Sequence, residues 1–171
     1  MSSETSGNNT ILKLWSTRKL SEGLLIDIQP GFACGKTNTE GIGVPQLRPM
    51  NVSEKGQIVY DVLKYVPEEE IHSDIRLVKP GDVIFNNTNS PELVGKTAYY
   101  QDSKQIAFSN HMTRLRVNQD LILPKYLSHL LHYYWRNGDY KNICNNHVSQ
   151  SSISKQALLS ISIPLPPLEE Q

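Results

Sequence analysis

With 171 residues, 38% of them hydrophobic, the chain has the size and composition of one globular domain with a single core, and its composition excludes wholesale disorder. Its 17 basic and 17 acidic side chains cancel, which counts against a protein that holds nucleic acid by bulk electrostatics, because such affinity comes largely from neutralised phosphates. No stretch approaches the roughly 20 apolar residues of a membrane helix. The Ser/Asn-rich start, Met1–Thr10, lacks the apolar centre of a signal peptide and is expected to be a disordered lead to a cytoplasmic protein.

Ten Pro and ten Gly, scattered along the chain, call for many turns and short elements. Leu12 to Trp15 alternates weakly, and Ser16-Thr17-Arg18-Lys19-Leu20 reads as the opening of a short helix capped by Ser16 or Thr17. Gly31 to Gly43 is a loop, from which Val44-Pro45-Gln46-Leu47-Arg48 emerges as an edge strand. Gln57 to Tyr60 reads as another short strand, and Pro67-Glu68-Glu69-Glu70 as a helical first turn. Lys79-Pro80-Gly81-Asp82 is a type II turn signal, with Val83-Ile84-Phe85 following as a buried strand. The polar run Asn86-Asn87-Thr88-Asn89-Ser90-Pro91 reads as a loop, and Leu93–Tyr100, Gln105–Phe108 and Met112–Val117 are strand-like.

The pattern then changes. Pro124 suits the first position of a helix. Tyr126, Leu127, Leu130, Leu131, Tyr134 and Trp135 recur as an amphipathic stripe, and Gly138 suits the end. Asn145 to Ser152 is a second polar loop, and Ser154 caps a short helix with Ile153 and Leu158 as a hydrophobic staple. Ile161-Ser162-Ile163 is a last strand before Pro164, Pro166 and Pro167. Leu168 to Gln171 then turns helical. The sum is an α+β fold: an irregular mixed or antiparallel sheet of short strands with a helical C-terminal half.

Charge is less even than its total. Glu54–Asp82 holds four basic and seven acidic residues, net −3. His111–Lys141 holds five and two, net +3, with three histidines besides. One face is therefore able to be basic, although charge alone describes ordinary solvated surfaces equally well.

Catalytic signatures are missing. No phosphate-binding glycine loop is present, since Gly41-Ile42-Gly43 runs into Pro45, and no Gly-x-Ser-x-Gly elbow occurs. The acids do not cluster as a metal nuclease requires. Cys144-x-x-His147 has no second pair at zinc spacing, and His129 and His132 have no third ligand beside them, so both sets read as structural. No metal or cofactor is expected. Two amide- and hydroxyl-rich stretches remain, Asn86–Ser90 and Asn145–Ser152. Asn and Gln can pair bidentately with adenine, and Arg or Lys with guanine, but such stretches are also ordinary turn chemistry.

In order along the chain, these features resemble a known family. Lys79-Pro80-Gly81-Asp82-Val83-Ile84-Phe85-Asn86, followed by Asn89-Ser90-Pro91-Glu92-Leu93-Val94-Gly95-Lys96, resembles the middle of type I restriction–modification specificity subunits. Val148-Ser149-Gln150-Ser151-Ser152-Ile153-Ser154 and the proline-rich Ile161–Gln171 resemble the end of that family's target-recognition domain. The early glycine loop with Val44–Arg48 and Asn51 is similar too. The resemblance runs from about Trp15 to Gln171, and its specific part is the proline motif. It implies a subunit with two target-recognition domains, each reading one half of a split double-stranded DNA site. Spacer helices would bind two adenine-methyltransferase subunits, a motor-nuclease subunit would join for cleavage, and the domain itself would have no catalytic residue.

On that resemblance the chain divides into a lead (1–10), a recognition domain (11–163) and an exit that begins a spacer helix (164–171). It would then be a fragment or a half-subunit, and alone would bind DNA weakly. Expected base contacts are Arg48, Asn86, Asn87, Asn89, Lys96 and Gln150; expected phosphate contacts are Lys36, Arg114 and Lys141. Two alternatives stay open: the recognition part of a single-chain restriction–methylation enzyme, and a protein-interaction module with no DNA role.

Overall fold

Val83-Ile84-Phe85-Asn86 is too short for a stable helix and apolar on both sides, so its residues are best satisfied inside a sheet covered on both faces. The computed structural model, which describes residues 15–146 and 150–171, places it there. The lead Met1–Thr10 and Leu12–Leu14 lie outside the described residues, as do His147, Val148 and Ser149. This strand, β6 (Val83–Asn86), is buried at every position. It lies in an antiparallel sheet of order β2-β10-β6-β8, with β2 at Leu25–Pro30, β8 at Thr97–Tyr99 and β10 at Met112–Val117.

Strand alternation splits the core into two layers. Val83 and Phe85 pack with Leu115 and Val117 against Leu127 and Leu131 of α1 (Pro124–Asn137). Both leucines are fully buried, and each contributes about 2 kcal/mol of apolar burial. Ile84, Ala98 and Met112 face the other way, onto Leu47, Ile106 and Phe108 of a second sheet. That sheet has the order β4-β3-β9-β5, with β3 at Val44–Leu47, β4 at Lys64–Val66, β5 at Leu77–Val78 and β9 at Ile106–Phe108. The layers are thus helix, sheet and sheet. Helix α1 ends as its sequence suggests: Gly138 takes the left-handed conformation (φ 76°), and its N–H donates to the carbonyls of Trp135 and Tyr134.

Several expectations need correction. Ser16–Lys19 is a strand, β1, not a helix start. It pairs antiparallel with β13 (Ser162–Leu165), Arg18 opposite Ile163. All four β1 side chains are exposed, so no apolar stripe exists for a helix to bury, and the Ser16 hydroxyl donates to the Leu165 carbonyl instead of capping. β3 is internal, between β4 and β9, not an edge. Pro45 is tolerated because β9 pairs only with Gln46 and Leu47, leaving nothing on that side for the missing N–H to serve. Gln57–Tyr60 makes a single bridge, Ile58 with Val52, because the Ser53 hydroxyl accepts from Lys55 and Gln57 N–H and curls the chain. Pro164 lies within β13, in a two-stranded sheet where a missing N–H is harmless. The capped helix is found as expected: α2 (Lys155–Leu159) starts at Ser154, whose hydroxyl accepts from Ala157 N–H.

The turn Lys79–Asp82 carries an ionic knot. Gly81 supplies φ 98°, and the Asp82 carboxylate accepts from Lys79 N–H at 2.7 Å. The same carboxylate, 2% exposed, accepts from Arg116 Nε at 2.7 Å and Nη2 at 3.2 Å, and lies 3.9 Å from Arg114 Nε. Arg114 is 1% exposed. Its guanidinium also donates to Asp27 at 2.6 Å and to the Ile75 and Leu77 carbonyls. The knot joins β2, β5, β6 and β10.

Replacing Asp82→Ala leaves Arg116 without its carboxylate and Arg114 with Asp27 alone. Removing one member of such a buried pair costs about 3–5 kcal/mol. Urea denaturation should show a loss of that size for Asp82→Ala and a smaller one for Asp82→Asn; equal stability of Asp82→Ala and the parent would contradict the assignment.

Candidate nucleic-acid interface

Strand β6 delivers Asn86 to one end of the central sheet, and the chain's loops gather around it. Asn86 exchanges backbone bonds with the next loop: its N–H donates to Lys96 O at 2.9 Å, and its carbonyl accepts from Gly95 N–H at 2.8 Å. Its side-chain amide donates to Pro49 O at 3.1 Å, bringing in the turn after β3. Asn87 and Thr88 N–H both donate to His111 O, at 3.0 and 3.3 Å, and Ile153 N–H donates to Asn87 O at 2.8 Å. Ser109 N–H reaches Leu47 O, Asn110 N–H reaches Phe32 O, and Gly31 N–H reaches Met112 O. The segments around residues 31, 48, 88, 110 and 152 therefore meet at one end of the molecule.

The two amide-rich stretches join there. Thr88–Asn89 forms β7, Asn145–Asn146 β11 and Ser151–Ser152 β12, in a three-stranded antiparallel sheet of order β11-β12-β7. Asn89 stands opposite Ser151, and Asn145 opposite Ser152. Both stretches were expected to be loops; their cross-pairing turns them into one small platform. Gly95 helps to hold it. Its left-handed φ of 97° admits no ordinary side chain, and an added Cβ would lie 2.2 Å from the Tyr140 ring. Tyr140 packs edge-on to Phe85 with centroids 5.6 Å apart, and its hydroxyl donates to Leu131 O.

The expected contact residues separate into groups. Arg48, Asn89 and Gln150 lie at the loop end: Gln150 is exposed, Asn89 and Arg48 half-buried. Arg48 Nη2 donates to Gln46 Oε1 at 3.2 Å, which fixes the guanidinium. Asn86, fully buried, and Asn87, whose amide donates to Thr113 Oγ1 at 2.8 Å, instead turn inward and hold neighbouring segments. Lys96 is buried with its ammonium 5.3 Å from the centre of the Trp135 ring, and this burial lowers its pKa. Arg114 belongs to the buried ionic knot and faces no solvent. Lys36 and Lys141 are exposed; Lys141 borders a cleft with Lys55, Trp135 and Arg136 beside the loop end. Asn110 and His111, both exposed on the turn between β9 and β10, join the platform and were not anticipated. Their signal was a Ser-Asn-His turn between two strands, which marks a loop but not its neighbours.

The paired histidines of α1 part company. His129 is exposed and borders a pocket with Tyr60, Tyr99 and Lys125. His132 is buried; Nδ1 accepts from Thr97 N–H at 3.3 Å, and Nε2 sits 2.9 Å from Glu54 O, so the neutral form with its proton on Nε2 satisfies both. Burial pushes its pKa down, and Lys96 and Arg136 add to the effect. Among the described residues no group of three His, Cys, Asp or Glu side chains is arranged to hold a metal. Cys144 is partly buried, which raises its thiol pKa; its companion His147 lies outside the described residues. Among the described residues no helix is long and apolar enough to cross a membrane.

A rigid scaffold with polar segments gathered at one end of its sheet defines a recognition module. The chain belongs to the type I restriction modification DNA specificity domain family, whose model matches residues 13–171. It is 33% identical over 160 residues to a putative type I restriction enzyme MjaX specificity subunit of Methanocaldococcus jannaschii, covering 92% of this chain and 37% of that protein. It is 22% identical over 158 residues to the type I restriction enzyme StySPI specificity subunit of Salmonella potsdam, covering 92% of this chain and 34% of that one. The chain thus spans about a third of the length of these relatives. Among solved structures, the HsdS subunit from Thermoanaerobacter tengcongensis superposes with a TM-score of 0.57 at 24% identity, over 91% of this chain and 34% of that one. A chain from a structural study of complex assembly and conformational transition of the type I R-M system gives 0.64 at 24% identity, over 91% and 35%. The S subunit from M. genitalium gives 0.58 at 12%, over 88% and 34%. The family and the α+β class expected from the sequence are both borne out.

Since the folded pKa of His132 lies below its unfolded value of about 6.5, the unfolded chain takes up this proton first as pH falls. Its stabilising contribution is complete above about pH 6.5 and is lost progressively below it. Thermal unfolding between pH 7 and 5 should therefore show a steeper loss for the parent than for His132→Gln; parallel curves would contradict this.

Proposed function

We propose that this chain is a non-catalytic, sequence-specific DNA-reading domain that directs a type I restriction–modification complex to one half of a split site. The observation that supports this best is the joining of Thr88–Asn89, Asn145–Asn146 and Ser151–Ser152 into one polar sheet at the loop end. Side-chain amides there have the donor–acceptor pairs that adenine presents in the major groove, and an arginine beside them has the fork that matches guanine. In this reading Arg48, Asn89 and Gln150 touch bases, together with Asn110, His111 and Asn145. Asn86 and Asn87 position them. Lys36 and Lys141 reach phosphates, and Lys96 supports the cleft wall. Arg114 serves the scaffold.

The partners are double-stranded DNA, adenine-methyltransferase subunits and the motor-nuclease subunit of the same system, working in the cytoplasm. Residues 11–163 act as the recognition domain. Residues 164–171 lead towards a spacer helix, consistent with the first helical bond, Gln171 N–H to Pro167 O.

Mapping of methylated sites in cells carrying the protein and its partner subunits tests the base contacts. Asn89→Ala with Gln150→Ala should change or abolish the methylated motif while leaving the melting temperature near that of the parent; an unchanged motif at unchanged affinity would overturn the assignment. Lys141→Ala should weaken binding about evenly across sequences and lower the slope of log affinity against log salt by about 1. A motif change in that variant would place Lys141 at a base edge instead.

A further inference from the structure

The turn Pro49–Asn51 is fastened on every side yet holds up one apolar side chain. Asn51 is 2% exposed; its Oδ1 accepts from Arg48 N–H at 2.9 Å, and its Nδ2 donates to Val59 O at 3.0 Å and Val62 O at 2.9 Å. Leu47 and Val52, on either side of the turn, are sunk in the core between the sheets. The Pro49 carbonyl accepts from the buried Asn86 amide. The backbone of this turn has little freedom. Between these anchors, Met50 stands 60% exposed.

A single exposed apolar side chain is common on any protein and by itself signifies nothing. The position of Met50 is what separates it from exposed residues such as Ile26 or Tyr133. It is two residues from Arg48, on the turn that Asn86 and Ser109 tie to the loop end. The Arg48 guanidinium is held by Gln46, itself fully buried and bonded through its amide to Phe32 O at 3.2 Å. The same rigid post thus offers a fixed fork of donors and, next to it, a soft apolar surface.

We propose that Met50 is a specificity-determining contact that packs against the C5 methyl group of a thymine in the major groove, beside a base read by Arg48. The inference rests on the DNA-reading function proposed above. Thymine is the one base that presents a methyl group in that groove. A polarisable, unbranched thioether adapts its shape to such a group better than a branched side chain does. Fixing the backbone beneath it reduces the ordering that binding would otherwise require.

The test uses the protein in complex with its methyltransferase subunits and the target duplex established by methylation mapping. Each thymine of the half-site is replaced in turn by deoxyuridine, which removes only the methyl group. At one position the parent should lose about four-fold in affinity, the effect of withdrawing one methylene-sized apolar group from contact. Met50→Ala should bind the thymine and deoxyuridine duplexes equally at that position, and Met50→Leu should recover most of the discrimination. Because Met50 is exposed, both variants should melt with the parent. The inference is overturned if Met50→Ala binds as the parent does, or if it binds more weakly but no deoxyuridine position is coupled to it. A parent complex with no sequence preference at all would overturn the DNA-reading function as well, and is distinguished from the first two results by the methylation map.

Discussion

The buried carboxylate of Asp82 is the constraint around which the scaffold is organised. It closes its own turn through Lys79 N–H and takes Arg116 in a two-point grip. It also faces Arg114, which reaches on to Asp27 of β2 and to the backbone leading into β5. Two charges in so dry a place are costly unless the geometry is complete. This knot comes close to complete because backbone carbonyls take up guanidinium donors that the carboxylates do not reach. Its benefit is registration: with β2, β5, β6 and β10 pinned at one end, the opposite ends of β2, β6 and β10 emerge at fixed positions. That opposite end is where the loops gather. The Gly-Asp turn is thus the far anchor of the interface, about one strand's length away, and takes no part in it.

At the loop end the fold reverses its material. The knot end is ionic and dry, whereas the platform is made of amides and hydroxyls. Backbone bonds, not side chains, do most of the joining: His111 O takes two N–H groups, and the carbonyls of Asn87 and Lys96 each take one. Side chains that face outwards are thereby released from structural duty, so their identity is free to follow a ligand. Asn86 and Asn87 are exceptions whose amides cross between segments. Gly95 makes the same point sterically, since the Tyr140 ring occupies the space a side chain would need. A module of this kind separates what holds the shape from what meets the partner; in the proposed reading Gln150 belongs to the second set, whereas Asn89, whose Oδ1 accepts from Ser90 N–H at 2.8 Å, serves both.

Much of the fold was legible. The stripe from Tyr126 to Trp135, the proline before it and the glycine after it each satisfy a local rule, and α1 has the bounds those rules require. The Lys79–Asp82 turn, β6 and the Ser154 cap are local in the same sense. What was not legible depends on distant partners. Ser16–Lys19 has the composition of a helix start and becomes a strand only because β13, almost 150 residues later, accepts it. The two polar stretches carry ordinary turn chemistry, and nothing within either reveals that Asn89 will face Ser151. Arg114 looked like a surface cation because an arginine in a strand gives no sign of its burial; its partner Asp27 is 87 positions away. Nothing local to Asn110 and His111 reveals the segments that gather beside their turn either.

The neutral net charge acquires a meaning from this arrangement. Five basic residues from His111 to Lys141 suggested a basic face, yet Arg114 and Arg116 within that span are consumed by Asp82 and Asp27. In the proposed reading, electrostatic attraction to any duplex is correspondingly small, and the non-specific background is small with it. In that reading the chain works as one part of a larger assembly and gains from this balance. The assembly can supply phosphate contacts and proximity, while the reader contributes mainly the difference between right and wrong sequence. In the proposed reading, hydrogen-bonding amides, one anchored guanidinium and an exposed thioether suit that division, because each interacts more favourably with one base edge than with another.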